Sequence, residues 1–151
     1  MLIIAGYEET LDVFRQIQYC PNVLAINDPD IPSLYPEIKQ QLDHYLELRF
    51  HDLSEPEPDA VLPSSEDIEQ IKQWAHACDS ENALIHCGAG ISRSTAAALI
   101  TLCEWGYSVS HAVQTVLTRR PMADPNSRML KLYGNPELEQ ALASIQGNPF
   151  I

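Results

Sequence analysis

Ten residues in the middle of the chain, His86-Cys87-Gly88-Ala89-Gly90-Ile91-Ser92-Arg93-Ser94-Thr95, restrict the fold more than any other stretch. Ala83-Leu84-Ile85 ahead of them reads as a buried strand, and Ala96-Ala97-Ala98-Leu99-Ile100 behind them as a helix interior. A strand, a tight glycine-bearing loop and a helix N-terminus therefore follow one another. That order turns successive backbone N–H groups toward one point and adds the positive end of a helix dipole, so it predicts an anion site. Cys87 and Arg93 stand at the two ends of the loop, with five residues between them. The backbone between them is long enough to curl around a tetrahedral oxyanion while the guanidinium closes the ring with paired hydrogen bonds. Amide dipoles, a helix N-terminus and an adjacent arginine are also the surroundings in which a cysteine becomes a nucleophile.

Taken singly, the residues carry less. A lone cysteine is more often a small buried hydrophobe, and a histidine before it a strand residue; the joint pattern of Cys, Gly, Arg and Ser between strand and helix points to chemistry. Zinc fits poorly, because adjacent His86 and Cys87 lack metal-ligand spacing and no second Cys or His falls a few residues away. No cofactor is called for.

The His-Cys-x5-Arg-Ser pattern, with Gly90 third in the loop after the cysteine, resembles the signature of the cysteine-dependent protein tyrosine phosphatases. Length and the remaining sequence are most similar to their small dual-specificity branch. The resemblance is close over the loop and loose from about Val23 to Leu132. It implies that Cys87 attacks phosphorus and that the amides of Gly88, Ala89, Gly90, Ile91 and Ser92, with Arg93, bind the phosphoryl oxygens. It also implies that Ser94 assists departure of the thiolate.

The family places an aspartate on a loop upstream of the cysteine to protonate the leaving group, a contribution of about 10² to 10⁴ in rate. Two candidates stand here. Asp52 ends a Phe-His-Asp strand 35 positions before Cys87, and Asp59 lies 28 before it in a proline-rich loop. Asp52 is preferred, because a strand end positions a catalytic group better than a loop centre. No Trp-Pro-Asp is present, so the pattern of the tyrosine-specific branch is not matched. His86 is read as orienting Cys87 rather than moving protons. The Arg-Arg-Pro…Pro-Asn segment up to Asn126 resembles the stretch that packs behind the phosphate loop in dual-specificity phosphatases, which makes Asn126 a supporting residue, although an Asn after Pro also suits a turn or cap.

Composition bounds the rest. The 151 residues fit one domain over 1–151, enough to bury roughly 70% of the surface of the unfolded chain. No apolar run approaches the ~20 residues that span a bilayer, and the short Met-Leu-Ile-Ile-Ala start lacks the features of a signal peptide. Cysteines at 20, 78, 87 and 103 have no framework spacing, so reduced thiols and a cytoplasmic location are expected. A formal charge of −12 argues against nucleic acid and anionic membrane as partners. The loop interior carries no additional cation for a polyphosphorylated inositide, which leaves a phosphorylated protein or peptide as the expected partner; oligomeric state is open.

In chain order, Leu2–Ile4 is a first strand, Glu8 to Tyr19 a helix stopped by Pro21, and Asn22–Asn27 a second strand. The acids of Asp28-Pro29-Asp30-Ile31-Pro32 read as turn and cap residues. Tyr35 to Leu42 suggests a weaker helix, and Tyr45 to Phe50 a strand. Pro56, Pro58 and Pro63, alternating with Glu55, Glu57 and Asp59, make the following stretch a long loop. Its acids are expected to select against acidic substrates. Ser64 caps a helix with Ile68, Ile71, Trp74, Ala75 and Cys78 on its apolar face; later helices run from Arg93 to Trp105, from Ser110 to Arg119, and from Pro136 with Leu138, Leu142 and Ile145 buried. The predicted fold is one α/β domain: a central, mostly parallel sheet flanked by helices, with a phosphatase-type phosphate loop between a strand and a helix.

The predicted activity is protein phosphatase, acting on phosphotyrosine and on phosphoserine or phosphothreonine through a cysteinyl-phosphate. Two other functions use the same parts. A catalytically silent phosphoprotein-binding module keeps the cradle, and a rhodanese-like sulfurtransferase also sets a cysteine on a strand–loop–helix, usually with a different loop length.

Overall fold

A computed structural model describes residues 1–10, 12–13, 22–33 and 44–146. Four strands, β1 (Leu2–Gly6), β2 (Asn22–Asn27), β3 (His44–Arg49) and β4 (Ala83–Cys87), form one sheet in the order β1-β4-β2-β3. Every pairing is parallel. The composition of each strand explains its place. β2 and β4, Asn-Val-Leu-Ala-Ile-Asn and Ala-Leu-Ile-His-Cys, are buried along their whole length, as central strands covered on both faces must be. β3 alternates Tyr-Leu-Glu-Leu and takes an edge, where most of its residues are half-buried. Parallel pairing brings the carboxyl ends of all four strands to one rim, with Gly6 beside Cys87 and Asn27 beside Arg49. Loops leaving that rim are where open α/β sheets hold ligands.

Five helices are described: α1 (Ser65–Ala77), α2 (Arg93–Glu104), α3 (Val109–Arg119), α4 (Ser127–Tyr133) and α5 (Pro136–Gln146). α1 begins in a reciprocal capping box, in which Ser64 Oγ accepts from the Asp67 N–H and the Asp67 carboxylate accepts from the Ser64 N–H at 2.8 Å. It buries Ile68, Ile71, Trp74 and Ala75. Cys78, predicted on that apolar face, is instead the extended residue that ends the helix, and is half-buried. α2 is buried from Arg93 through Leu102, and its Ala96-Ala97-Ala98 run lets it lie close against the sheet. Trp105 and Gly106, the latter at φ +92°, end it as the sequence suggested. Leu24, Ile26, Phe50, Ile71, Ile85, Leu99, Ile100, Met129 and Leu138 fill the core between sheet and helices.

Differences from the sequence reading are local. β1 runs two residues further than Leu2–Ile4, and β3 covers His44–Arg49 rather than Tyr45–Phe50. α4 was not foreseen: seven residues beginning at Ser127 are capped by Asn126, whose Oδ1 accepts from the Met129 N–H at 3.0 Å, and closed by left-handed Gly134. So short a helix carries too few turns to show a 3.6-residue period. The helices predicted over 8–19 and 35–42 fall largely or wholly outside the described residues, as does Cys20.

Candidate active site

β4 delivers Cys87, 2% exposed, to the floor of the loop, and the five carbonyls that follow are each held from outside. Gly88 O accepts from the Tyr7 N–H at 2.9 Å, Ala89 O from Arg120 Nη2 at 3.1 Å and Gly90 O from Arg120 Nε at 3.0 Å. Ile91 O accepts from the Asp124 N–H at 2.9 Å, and Ser92 O from the Asn126 N–H at 3.1 Å. In a trans peptide the C=O of one residue and the N–H of the next point in opposite directions. Anchoring the carbonyls of Gly88 to Ser92 on the outside therefore directs the N–H groups of Ala89 to Arg93 inward. The inward amides and the N-terminus of α2 face the space inside the loop, an arrangement suited to an anion.

Gly90 is where this loop demands glycine. Its φ is +74°, and a Cβ there would sit 2.5 Å from Arg120 Nη2 and 2.7 Å from Gly6 N. The end of β1 and the end of α3 press on the loop from two sides.

Cys87 Sγ donates to Ser94 Oγ at 3.1 Å, a buried contact that places a hydroxyl beside the nucleophile. Arg93 is 6% exposed, and its Nη1 is taken by two acceptors, Asp28 Oδ1 at 2.6 Å and Phe50 O at 2.8 Å. Its Nε is buried with no hydrogen-bond partner among the described residues. Arg93 lines a cavity of about 350 Å³ with Gly88 and Ala89 of the loop, Gly6 to Glu9 after β1, and Asn27, Asp28 and Ile31 after β2. A guanidinium edge left unsatisfied beside such a cradle is ready for an oxyanion.

Asp52, just beyond the end of β3, reaches the same loop. Its Oδ1 accepts from Ser92 Oγ at 2.6 Å and from Asn126 Nδ2 at 2.9 Å. Ser92 is the N-cap residue of α2, yet its side chain makes no capping bond and is given to Asp52 instead. Asn126 Nδ2 also donates to Leu53 O at 3.1 Å, so one side chain ties the segment after β3 to the phosphate loop while capping α4. Asp59 sits in an exposed turn at φ +60°, with no hydrogen bond to the loop among the described contacts. Of the two candidate acids, the fold brings Asp52 to Cys87's loop.

His86 is fully buried between β1 and β2, and burial pushes its pKa down to about 4. It is a neutral imidazole at neutral pH, which fits an orienting residue and not a cationic one.

Two residues were missed by the sequence reading. Asp28, a turn acid by sequence, does start a turn, accepting at its backbone O from the Ile31 N–H, but its carboxylate holds Arg93. Arg49 braces that turn by donating to the carbonyls of Asp28, Pro29 and Ile31. Arg120 is the second. Besides holding two loop carbonyls it makes a two-bond pair with Glu9, whose carboxyl it keeps below the usual range. Its neighbour Pro121 marked the end of α3, and that a side chain there turns back onto the loop is set by tertiary packing alone.

The parallel four-strand sheet and its strand order are the fold of solved dual-specificity phosphatase structures. Solved structures of that kind align with nearly the whole chain. The crystal structure of DUSP15 has a TM-score of 0.63 at 19% identity, covering 97% of this chain and 91% of that one. Human DUSP28 gives 0.59 at 21% identity, with 97% and 94% covered. The human tyrosine phosphatase-like serine/threonine/tyrosine-interacting protein gives 0.60 at 21%, with 97% and 93% covered. In sequence, the chain is similar to dual specificity protein phosphatase 15 of Rattus norvegicus, 27% identical over 120 residues, which is 72% of this chain and 49% of that protein. The chain thus spans about half the length of that relative. No family model matches it. Among the described residues no helix is long and apolar enough to cross a membrane.

Proposed function

We propose that residues 1–151 form a catalytic domain that hydrolyses phosphomonoesters of proteins or peptides, on phosphotyrosine and on phosphoserine or phosphothreonine. The observation that carries this reading is the pairing of Cys87, hydrogen-bonded to Ser94, with an Arg93 whose Nε has no partner among the described residues.

The Cys87 thiolate attacks phosphorus, a P–S bond forms, and the P–O bond to the leaving group breaks as Asp52 gives that oxygen its proton. The product is a cysteinyl-phosphate and a free hydroxyl. Water then attacks phosphorus, Asp52 takes its proton, and the P–S bond breaks with the electron pair returning to sulfur, where the Ser94 hydroxyl supports the leaving thiolate. Inward amides and Arg93 hold the phosphoryl oxygens through both steps. Asp28 and Phe50 O fix the guanidinium, and Asn126 and Ser92 hold the acid. Cys87 and Cys103, neither of them in a disulfide, support a reducing, cytoplasmic setting.

Fold alone does not make turnover, since the same architecture carries a protein described as phosphatase-like. A silent phosphoprotein-binding module keeps the cradle but has no use for Asp52 tied to the loop or for Ser94 against the thiol. A sulfurtransferase likewise leaves Asp52 without work. The test is hydrolysis of a small aryl phosphate by the wild type and Cys87→Ser, in chelator and reductant, from about pH 5 to 8. Activity in the wild type alone is expected; phosphopeptide binding without activity in either would replace the enzyme by a binding module.

A further inference from the structure

Carboxylates line the cavity beside the phosphate cradle. The cavity beside Arg93 is lined, among the described residues, by three acids, Glu8, Glu9 and Asp28, against one guanidinium. Two of the three are committed: Glu9 pairs with Arg120, and Asp28 with Arg93. Glu8 is exposed and makes no ion pair among the described residues. The chain beyond Asp52, whose carboxylate meets Ser92 of the loop, also exposes Glu55, Glu57 and Asp59, again with no ion pair among the described residues. The second observation is Arg93 itself, a side chain more than nine-tenths buried that lines this cavity with its Nε unpartnered, so that an anion seats next to those acids.

A bound phosphoryl group is compensated by the loop amides and by Arg93. Whatever flanks it meets a wall of negative charge. A second phosphate or an acidic neighbour is repelled there, whereas a Lys or Arg one or two residues from the phosphorylated side chain finds carboxylates that lack a partner.

We infer that the site selects phosphopeptides with basic residues flanking the phosphorylated side chain, and that Glu8 is a specificity-determining residue for them. This rests on the phosphatase reading for its kinetics, though not for its binding. Lys is absent from the described lining of the cavity, so the preference needs a cation from the substrate.

The experiment uses phosphotyrosine peptides of one sequence flanked either by Lys or by Glu. Their kcat/KM is measured with the full chain, and their affinity with Cys87→Ser by fluorescence anisotropy, at two salt concentrations, for Glu8 and for Glu8→Lys. The Lys-flanked peptide should be favoured by about tenfold at low salt, and less at high salt as exposed charges are screened. Glu8→Lys should shrink that preference by about threefold to tenfold, read as the ratio of the two peptides so that any effect of the new charge on phosphoryl binding common to both cancels. Equal use of both peptides, or a preference that Glu8→Lys leaves intact, overturns the inference. A preference seen in binding without turnover keeps the inference and removes the catalytic reading; turnover of the aryl phosphate without a preference does the reverse.

Discussion

Arg93 Nη1 donates to Asp28 Oδ1 at 2.6 Å, joining the start of α2 to the turn after β2 across 65 residues of chain. The contact uses one corner of the guanidinium and leaves Nε without a partner among the described residues. It is therefore an orienting contact that also sets a negative charge near the phosphate site.

Those two effects separate by substitution. Asp28→Asn keeps an acceptor and removes the charge, so inorganic phosphate should inhibit the variant about threefold to tenfold more tightly, since the competing anion is gone. Asp28→Ala leaves Nη1 with Phe50 O alone, and kcat/KM on an aryl phosphate should fall at least about tenfold. Competition assays on both variants check the pair of outcomes; identical behaviour would mean that Asp28 does not orient Arg93.

Asp52 is the acid in the proposed reaction. Asp52→Asn should lower kcat by about 10² to 10⁴ on an alkyl phosphate, and much less on an aryl phosphate whose leaving group needs little help. Asp59→Asn should stay within about twofold of the wild type on both. A larger loss in the Asp59 variant reverses the assignment.

Arg120 clamps the outside of the loop through Ala89 O and Gly90 O while bound to Glu9. Arg120→Lys keeps the charge but loses the fork that serves two carbonyls and a carboxylate together. Phosphate affinity and kcat/KM should drop about tenfold, with a Tm loss of a few degrees by thermal melting. Gly90→Ala, which combines a positive φ with contacts of 2.5 and 2.7 Å, should cost more than Arg120→Lys on both readouts.

His86 gives the fold a pH dependence. Its pKa is about 4 in the folded protein and 6.5 when unfolded, so the unfolded chain binds more protons between those values. Stability is full above about pH 6.5 and is lost as pH falls through the window, by up to about 3 kcal/mol. Tm should decline from pH 7 to 4.5, and His86→Asn should lose less of its own Tm over that range. An equal decline in both would place the sensitivity elsewhere.

The local parts of the fold were legible in the sequence because each is written in contiguous residues. Asn22–Asn27 and Ala83–Cys87 read as strands from unbroken apolar runs, Ser64 and Asp67 as a cap from their spacing, and Gly106 as a stop. The cradle was legible for the same reason, since Cys87 to Arg93 is one loop and its chemistry follows from adjacent residue types. α4 was hidden by its length, and Cys78 by a helix that ends one residue sooner than its apolar pattern.

Of what surrounds the loop, Asp52 and Asn126 were legible only through the resemblance, and the contacts of Asp28 and Arg120 were not legible at all. Asp28, Asp52, Arg120 and Asn126 reach the loop from four separate segments, and nothing local distinguishes an orienting aspartate from a turn aspartate such as Asp30. The sequence by itself determined the cysteine, the arginine and the strand–loop–helix that joins them, because backbone geometry over a few residues decides those. Only the tertiary structure decided which carboxylates meet Arg93 and the loop, because parallel pairing of β1, β4, β2 and β3 gathers the strand ends at one rim, and a side chain's partner there depends on packing between segments as far apart as Glu9 and Arg120.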